Sequence, residues 1–238
     1  MEGAINIQLY EGERCMPVRE DVASHEQGEY AIERPSNRLA KRIFDVFFAS
    51  IGLLIASPFL LIIAALVAIE NQGSVIFAHR RIGRGGKSFR CYKFQTMVPD
   101  AQEKLLEYLA KNPEAQKEWD TNFKLVDDPR VTKLGGFLRR TSLDELLQLW
   151  NVILNDMSLV GPRPIVTAEI ERYGDNFKEY SLALPGITGI WQVSGRSDTS
   201  YDERVAMDVW YVKNWSLLLD IKCLFKTVKA VLKSEGAY

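Results

Sequence analysis

An apolar stretch without a single charged residue covers residues 46–69. As one helix it would be about 36 Å long, enough to cross the roughly 30 Å hydrocarbon core of a bilayer. Ser57 and Pro58 lie at its middle, where proline removes a backbone hydrogen bond and bends a helix. The pattern leaves two structures open: a spanning helix with a proline kink, and a re-entrant segment that enters and leaves by the same membrane face.

After this stretch the pattern predicts short strands and then helices. Residues 74–78 and 88–94 are predicted to be strands, and the glycine-rich residues 83–87 are predicted to form the hairpin turn between them. Residues 99–123 have apolar positions at helical spacing, interrupted by Asn112-Pro113. This interruption fits either two helices or one bent helix.

The C-terminal half is predicted to contain two further helices and several loops. Ser142 is predicted to cap a helix that ends near Asn155, with Glu145 completing a capping box. Residues 215–232 have apolar positions at helical spacing with lysines between them, which fits an interfacial helix or a core helix with snorkelling lysines. Proline and glycine predict loops at residues 161–164, 184–186 and 194–196.

Charge is unevenly distributed although the net charge is only -1. Residues 1–33 are acidic on balance, and residues 34–93 carry many lysines and arginines on both sides of the apolar stretch. Basic flanks stay cytoplasmic and suit an anionic leaflet, so both ends of the stretch favour the same side. Nothing in the charge points to nucleic acid. The three cysteines lie far apart and indicate neither a zinc site nor a disulfide framework.

The sharpest local signal is the pair Asp144-Glu145 just after Arg139-Arg140. By itself such a motif fits a helix start stabilised by two carboxylates. Neighbouring cations would also hold the carboxylates ionised, and an ionised aspartate is a nucleophile or a metal ligand. Phosphoryl transfer combines such groups with cations on the phosphate oxygens. The candidate phosphate ligands are Lys93, Arg139, Arg163 and Arg196, and the candidate nucleophiles or metal ligands are Asp144, Glu145 and Asp220.

Several longer motifs identify a family. They are Lys93-Phe94-Gln95-Thr96-Met97, Asp128-Pro129-Arg130-Val131-Thr132, Leu138-Arg139-Arg140-Thr141-Ser142-Leu143-Asp144-Glu145-Leu146, Leu149-Trp150-Asn151, Met157-Ser158-Leu159-Val160-Gly161-Pro162-Arg163-Pro164, Pro185-Gly186-Ile187-Thr188-Gly189 and Trp191-Gln192-Val193-Ser194-Gly195-Arg196. From about Lys41 onward the chain resembles the bacterial sugar transferases that are monotopic phosphoglycosyl transferases. Within them it looks most like the short undecaprenyl-phosphate hexose-1-phosphate transferases of exopolysaccharide or O-antigen synthesis.

This resemblance implies a two-step reaction. Asp144 would attack the diphosphate of a UDP-hexose, releasing UMP, and undecaprenyl phosphate would then take the sugar phosphate from the enzyme. Glu145 would act as a base or through Mg²⁺, which Asp144 and Asp220 would hold. The binding residues for phosphate or uridine would be Lys93, Arg139, Arg163 and Arg196. Gln95 and Leu147 depart from the family pattern, which usually has arginine and proline there.

The expected fold is mainly α with a small β-hairpin. It is a monotopic membrane protein with a broken re-entrant membrane helix and interfacial amphipathic helices around a cytoplasmic catalytic domain. We expect a disordered polar tail over residues 1–36, the re-entrant helix over 37–72 and the phosphoglycosyl transferase domain over 73–238, on the cytoplasmic face of the bacterial inner membrane.

The expected partners are UDP-hexose, undecaprenyl phosphate and membrane lipids, with a homodimer considered and nucleic acid excluded. Two rival functions stay open at this point. One is a non-catalytic membrane scaffold, and the other is a glycosyltransferase that passes the sugar alone to the lipid and releases UDP.

Overall fold

The computed structural model describes residues 29–71, 73–122, 125–194 and 199–232. Within these ranges the fold is mainly helical, with one antiparallel hairpin and one short parallel pair of strands. The helices are α1 (Pro35–Glu70), α2 (Ala101–Lys111), α3 (Pro113–Asn122), α4 (Lys133–Arg140), α5 (Gln148–Ile153), α6 (Ile170–Tyr173), α7 (Phe177–Tyr180), α8 (Ile190–Ser194), α9 (Tyr201–Lys213) and α10 (Leu217–Leu232). The strands are β1 (Ile76–Ile82), β2 (Ser88–Phe94), β3 (Ser158–Val160) and β4 (Gly186–Thr188).

Helix α1 is 36 residues long and, in the described part of the chain, is alone in being long and apolar enough to cross a membrane. Pro58 lies inside it, and the break predicted at Ser57-Pro58 is not seen, because the helix continues through the proline. The hydroxyl of Ser57 donates to the carbonyl of Leu54 at 2.8 Å. Side-chain hydrogen bonds of this kind help a membrane helix to tolerate proline. Re-entry therefore depends on what the two ends of α1 contact.

Both ends of α1 pack against the same globular part. Near its beginning, Lys41 donates to the carbonyl of Val160 at 3.0 Å, and further along, in the first half of the helix, Ala49 is fully buried in a core cluster that includes Val152 and Met157. Near its end, Val67 packs in a second cluster with Phe94 and Leu138. Both ends of α1 thus contact one domain.

Two helices present apolar side chains outward. On α10, Leu219 and Cys223 are buried in the core, while the opposite face exposes Leu218, Phe225 and Val228. The core and interfacial interpretations of this helix thus each describe one of its faces. On α1 the large apolar side chains that are at least half exposed are Leu39, Ile43, Phe47, Leu54, Ile55, Phe59, Leu61, Ile62 and Ile69. Apolar surface of this extent is typical of contact with lipid.

The predicted tail of residues 1–36 falls mostly outside the described residues. At its end, Ala31–Glu33 form a 3-10 turn. Ile32 in this turn is buried and packs in the same core cluster as Ala49.

The hairpin predicted after the apolar stretch is confirmed. Strands β1 and β2 pair antiparallel, and the register places Lys93 opposite Phe77 and Cys91 opposite His79. Arg81 follows two residues later along β1, opposite Phe89. Because side chains alternate between the faces of a strand, Lys93, Cys91 and Arg81 share one face of the hairpin. Two helices separated at Asn112, rather than one bent helix, follow it.

The parallel pair of β3 and β4 was not predicted from the sequence, which placed residues 184–186 in a loop. A β-carbon on Gly186 would lie 2.1 Å from the backbone nitrogen of Gly161, and one on Gly161 would lie 2.4 Å from the carbonyl oxygen of Leu184. Only glycine permits this approach of two backbones. The three-residue strands are too short to give an alternating pattern that a sequence could reveal.

Two adjacent glycines in α4 should respond oppositely to alanine. A β-carbon on Gly135 would lie 2.1 Å from the carbonyl oxygen of Thr96, whereas one on Gly136 would meet only the flexible end of Arg140, at 3.4 Å. We expect Gly135→Ala to lower the free energy of unfolding by about 3 kcal/mol. Gly136→Ala should be neutral or stabilise by up to about 1 kcal/mol. Thermal unfolding of the detergent-solubilised protein measures both, and equal effects would contradict this packing.

Candidate active site

The Asp144-Glu145 pair lies in a single 3-10 turn, Leu143–Glu145, between α4 and α5. Ser142 before it has a φ of 56°, and its side chain makes no capping hydrogen bond. The predicted capping box is therefore wrong, because an N-cap residue needs extended backbone and the reversal after α4 puts Ser142 in the left-handed region. Helix α5 begins only at Gln148. The turn, rather than a helix N-terminus, holds the two carboxylates.

Asp144 is buried, with 7% of its surface exposed. Its pKa is raised to about 6, first by burial and then by the charge of Glu145, while Lys93 and Arg139 act in the opposite direction. The sequence predicted a carboxylate held ionised by neighbouring cations. The cations are present, but the cost of desolvating the charge is larger than their effect. At neutral pH the carboxylate is still mostly ionised, because its pKa lies about one unit lower.

Lys93 connects the hairpin to this turn. Its Nζ donates to Oε1 of Glu145 at 2.5 Å, and both side chains are about one-third exposed. No described lysine or arginine forms such a pair with Asp144, so the two adjacent carboxylates differ: Glu145 is neutralised by a lysine, and Asp144 is desolvated. A desolvated carboxylate attacks an electrophile more readily than a hydrated one, and the neighbouring ammonium attracts an anionic substrate.

Arg139 lies on the other side of Asp144. Its Nε donates to the hydroxyl of Thr96 at 2.9 Å. Burial lowers the pKa of the guanidinium, and the charges of Asp144 and Asp128 counteract this. Among the described residues Arg139 is thus fixed near the Asp144 carboxylate by a hydrogen bond from Nε alone, and a phosphate ligand needs such free donors.

Thr96, Asp128 and Arg130 complete the surroundings of Arg139, and the sequence assigned no role to them. Asp128 accepts two hydrogen bonds from the guanidinium of Arg130, at 2.8 and 2.6 Å. The backbone of Thr132 donates to the carbonyl of Thr96 at 3.1 Å, and Val98 donates to Arg130 at 2.9 Å. These bonds join two of the family motifs into one structure. The sequence signal for these three residues was that they belong to the family motifs. Only the fold shows that the two motifs are in contact.

Arg163 belongs to a second group of basic residues, which it forms with Arg204 beside Trp191. Its backbone N–H donates to Oδ2 of Asp208 at 3.3 Å, and its guanidinium lies 5.4 Å from the ring centre of Trp191. Arg204 lies 4.8 Å from the same ring. The pKa of Asp208 is raised to about 7, because the effect of burial exceeds that of the hydrogen bonds from Tyr173 and Arg163, which lower it. The backbone of Arg163 is thus held by a buried carboxylate.

Cys91 on β2 shows that the two basic groups are neighbours. Burial raises the pKa of its thiol, Lys93, Arg81 and Arg163 lower it, and Glu145 raises it. All four charges are therefore close enough to act on this one buried side chain of the hairpin. The fold brings together five of the residues predicted from the sequence: Lys93, Arg139, Asp144, Glu145 and Arg163.

The remaining two predicted residues are not among these. Arg196 lies outside the described residues. Asp220 is fully buried and belongs to a different cluster: its carboxylate accepts hydrogen bonds from Lys41 at 2.6 Å, Tyr211 at 2.7 Å and Trp215 at 3.1 Å. With three donors at one carboxylate, little capacity is left for a metal ion, and this arrangement is that of a structural ion pair.

Only part of the predicted metal site fits the geometry. Among the described residues no three histidine, cysteine or acidic side chains converge as metal ligands. Asp144 and Glu145 nevertheless offer two adjacent carboxylates, and Mg²⁺ beside a nucleotide typically takes one or two carboxylates with phosphate oxygens and water. The donor set thus fits a Mg²⁺ shared between this turn and a substrate, without Asp220.

The raised pKa of Asp144 predicts an acid limb in the pH profile. If the ionised carboxylate reacts, kcat/KM should fall about tenfold for each pH unit below about 6. Removing a cation that lowers this pKa should move the limb to higher pH, so Lys93→Met should shift its midpoint upward as well as reduce the rate. The exposed Lys104, paired with Asp100, gives the control Lys104→Met. An unshifted midpoint in Lys93→Met would contradict the assignment.

The chain belongs to the bacterial sugar transferase family, whose pattern it matches over residues 36–234. It is 53% identical over 207 residues to the "Undecaprenyl-phosphate galactose phosphotransferase" of Salmonella typhimurium. The matched residues are 87% of this chain and 43% of that protein. It is 51% identical over 205 residues to the "Exopolysaccharide production protein ExoY" of Rhizobium meliloti, with 86% of this chain and 91% of that protein covered.

A third relative carries a different sugar in its name. The "UDP-glucose:undecaprenyl-phosphate glucose-1-phosphate transferase" of Escherichia coli is 40% identical over 210 residues, or 85% of this chain and 42% of that protein. The chain spans less than half the length of the Salmonella and Escherichia relatives. The family predicted from the motifs is confirmed.

Proposed function

We propose that this protein transfers hexose-1-phosphate from a UDP-hexose to undecaprenyl phosphate and releases UMP, as the first step of a polysaccharide repeat unit. The observation that carries the proposal is the buried Asp144 beside Glu145, flanked by Lys93 and Arg139. Two relatives named for undecaprenyl-phosphate transfer support the acceptor, and their names give galactose and glucose as the sugars to test first. The association with exopolysaccharide comes from the name of the Rhizobium relative.

The chemistry divides into two displacements at one phosphorus atom. A carboxylate oxygen of Asp144 attacks the phosphorus that carries the sugar, and the bond from this phosphorus to the oxygen of UMP breaks. A phosphate oxygen of the lipid then attacks the same phosphorus, and the bond to Asp144 breaks. The bond between the sugar and its phosphate is never cleaved.

The cations at the site have separate roles in this scheme. Lys93 and Arg139 bind the phosphate oxygens of the donor and offset the charge that develops there. Arg163 lies further along the hairpin face and binds the nucleotide part, together with Arg196 in its predicted role. In the free enzyme one carboxylate oxygen of Glu145 accepts a hydrogen bond from Lys93, and we assign Glu145 chiefly to holding Mg²⁺. When bound, Mg²⁺ supplies charge neutralisation to the diphosphate.

We further propose that α1 is re-entrant and places the site at the cytoplasmic surface of the inner membrane. The contacts of Lys41 near the beginning of α1 and of Val67 near its end with one domain support this topology. So does the hydrogen bond from the Thr132 hydroxyl to Glu70 at the end of the helix, at 2.6 Å. Tags at residues 1 and 238 should both be protected from protease added to the periplasmic side, and cleavage of one tag would contradict re-entry.

The released nucleotide tests the reaction. Membranes containing the protein are incubated with radiolabelled UDP-galactose or UDP-glucose and undecaprenyl phosphate, and the nucleotide and lipid products are separated. Release of UMP with a lipid that carries both sugar and phosphate supports the proposal. Release of UDP would favour a glycosyltransferase, and no turnover with any UDP-hexose would favour the scaffold. The homodimer stays a prediction.

A further inference from the structure

A cavity of about 360 Å³ lies at the beginning of α1. Its lining includes Arg38 and Arg42 from α1, Arg84 from the hairpin turn, and the apolar Ile32 and Leu184. None of the residues assigned above to the reaction lines this cavity. Its size is within the usual range for small-ligand sites, about 300–1,000 Å³.

The hairpin turn is fixed in place beside this cavity. Gly85 in the turn donates its backbone N–H to the carbonyl of Ser181 at 2.7 Å, and Gly83 donates to Lys87 at 2.8 Å. Arg84 therefore projects from an anchored loop. The sequence indicated only a hairpin turn at this position, because the glycines gave no reason to assign a ligand to the arginine between them.

The three arginines have few partners in the described part of the chain. Arg42 donates to the carbonyls of Val152 at 2.5 Å and Ile153 at 2.8 Å, at the end of α5. The Nε of Arg38 donates to the carbonyl of Ile32 at 3.4 Å. The guanidinium of Arg84 has neither a hydrogen bond nor an ion pair with any described residue. The three arginines line the same cavity, and the pKa of Arg84 is lowered first by burial and then by the charges of Arg38 and Arg42.

The acidic groups nearby do not neutralise these arginines. Asp45 lines the cavity, but its carboxylate accepts a hydrogen bond from the backbone of Leu159 at 3.1 Å and lies 3.9 Å from Nζ of Lys41. Lys41, which also lines the cavity, is paired with the buried Asp220. At and beside the cavity there are thus two carboxylates and four cations. The carboxylates belong to Asp45 and Asp220, and the cations to Arg38, Lys41, Arg42 and Arg84. The excess positive charge attracts an anion with several oxygens, since guanidinium groups bind phosphate through paired hydrogen bonds.

The position of the cavity indicates the source of this phosphate. Leu39 and Ile43, on the same turns of α1, are both 62% exposed and belong to its apolar outward face. If that face contacts lipid, the cavity opens at the level of the headgroups. We propose that Arg38, Arg42 and Arg84 bind the phosphate of an anionic membrane lipid, at a site separate from the active site. The site depends on the membrane association of α1 but not on the chemistry of Asp144.

Binding of short-chain lipids tests this site. The full chain in zwitterionic detergent is titrated with dioctanoyl phosphatidylglycerol, dioctanoyl phosphatidylcholine or inorganic phosphate, and the shift in thermal unfolding is followed. We expect a saturable shift with phosphatidylglycerol only. Arg84→Gln should weaken the apparent affinity about fivefold, which corresponds to about 1 kcal/mol for one basic group near lipid. The exposed Arg90 on β2 gives the control Arg90→Gln, which should bind normally.

Each remaining outcome counts against the site. An equal shift with inorganic phosphate or phosphatidylcholine would contradict recognition of an anionic lipid, and equal weakening in Arg90→Gln would indicate general surface charge. UMP release is measured in parallel, and Arg84→Gln should keep the kcat/KM of the parent for UDP-hexose. Loss of that activity together with binding would assign the cavity to the active site instead. If neither the parent chain nor its variants turn over UDP-hexose, the proposed function fails. The lipid titration still tests the lipid-binding site by itself.

Discussion

Asp144→Asn is expected to reduce UMP release more than about a thousandfold, since an amide cannot form the bond to phosphorus that the carboxylate forms. Asparagine has nearly the same shape, so the buried turn at Leu143–Glu145 should keep its structure. The measurement is the initial rate of UMP release from UDP-hexose with purified protein and undecaprenyl phosphate. Acid-quenched protein incubated with the labelled donor alone should carry label in the parent chain and none in the variant.

Asp175→Asn provides the matched control, because Asp175 is exposed in another 3-10 turn. This variant should release UMP at the rate of the parent. Unfolding temperatures of both variants within a few degrees of the parent would exclude misfolding as the cause of any loss. Normal UMP release or normal polymer formation by Asp144→Asn would overturn the nucleophile assignment, and polymer formation without UMP release would restore the scaffold alternative.

Asp220→Ala is expected to have the largest effect on stability, about 3–5 kcal/mol, because it removes the nearest counter-charge of the buried Lys41. The only other carboxylate paired with this lysine among the described residues is that of Asp45, at 3.9 Å. The lysine ammonium lies 2.6 Å from the Asp220 carboxylate, and side-chain exposure is 8% and 0%. The same lysine donates to the carbonyl of Val160 at 3.0 Å, so the pair connects α1 to strand β3 and the Arg163 segment. The measurement is thermal or denaturant unfolding of the detergent-solubilised chain.

Asp100→Ala is the contrasting variant, since the exposed pair of Asp100 and Lys104 should contribute less than about 1 kcal/mol. If Asp220→Ala does not fold, the double variant Lys41→Met with Asp220→Leu still tests the ion pair, because removing both charges should recover part of the stability. No recovery would contradict the pair as the cause. A change in the Mg²⁺ dependence of Asp220→Asn, rather than in its stability, would favour the metal-ligand role predicted from the sequence.

Helices and strands could be predicted where their sequence pattern was long enough to recognise. The apolar stretch, the hairpin and the break at Asn112 were all visible, because each depends on local periodicity or on proline and glycine. The pair β3–β4 was missed, because three residues per strand give no period. Ser142 was misassigned for a related reason: Ser-x-x-Glu is a strong local signal for a cap, but the reversal between α4 and α5 overrides local preference.

For the site, the sequence predicted which residues take part, but it did not predict the burial and the ion-pair partners of each residue. Lys93, Arg139, Asp144, Glu145 and Arg163 were identified from chemistry and motif, and the fold brings them around one face of the hairpin. The sequence predicted that neighbouring cations set the charge state of Asp144, but burial has the largest effect on its pKa. Burial could not be predicted, because it depends on residues that are distant in the sequence. Asp220 shows the same limit, because its partner Lys41 is 179 positions away.

The sequence by itself determined the family, the acidic pair, its cations and an apolar helix long enough for a membrane, because each is a property of contiguous residues. Only the tertiary structure decided which acid is desolvated, which acid is locked in an ion pair, and that both ends of α1 reach the same domain. It also decided that three arginines from two distant segments share one cavity. Burial and the distance between charges set these energies, and both are fixed only when segments remote in the chain pack together.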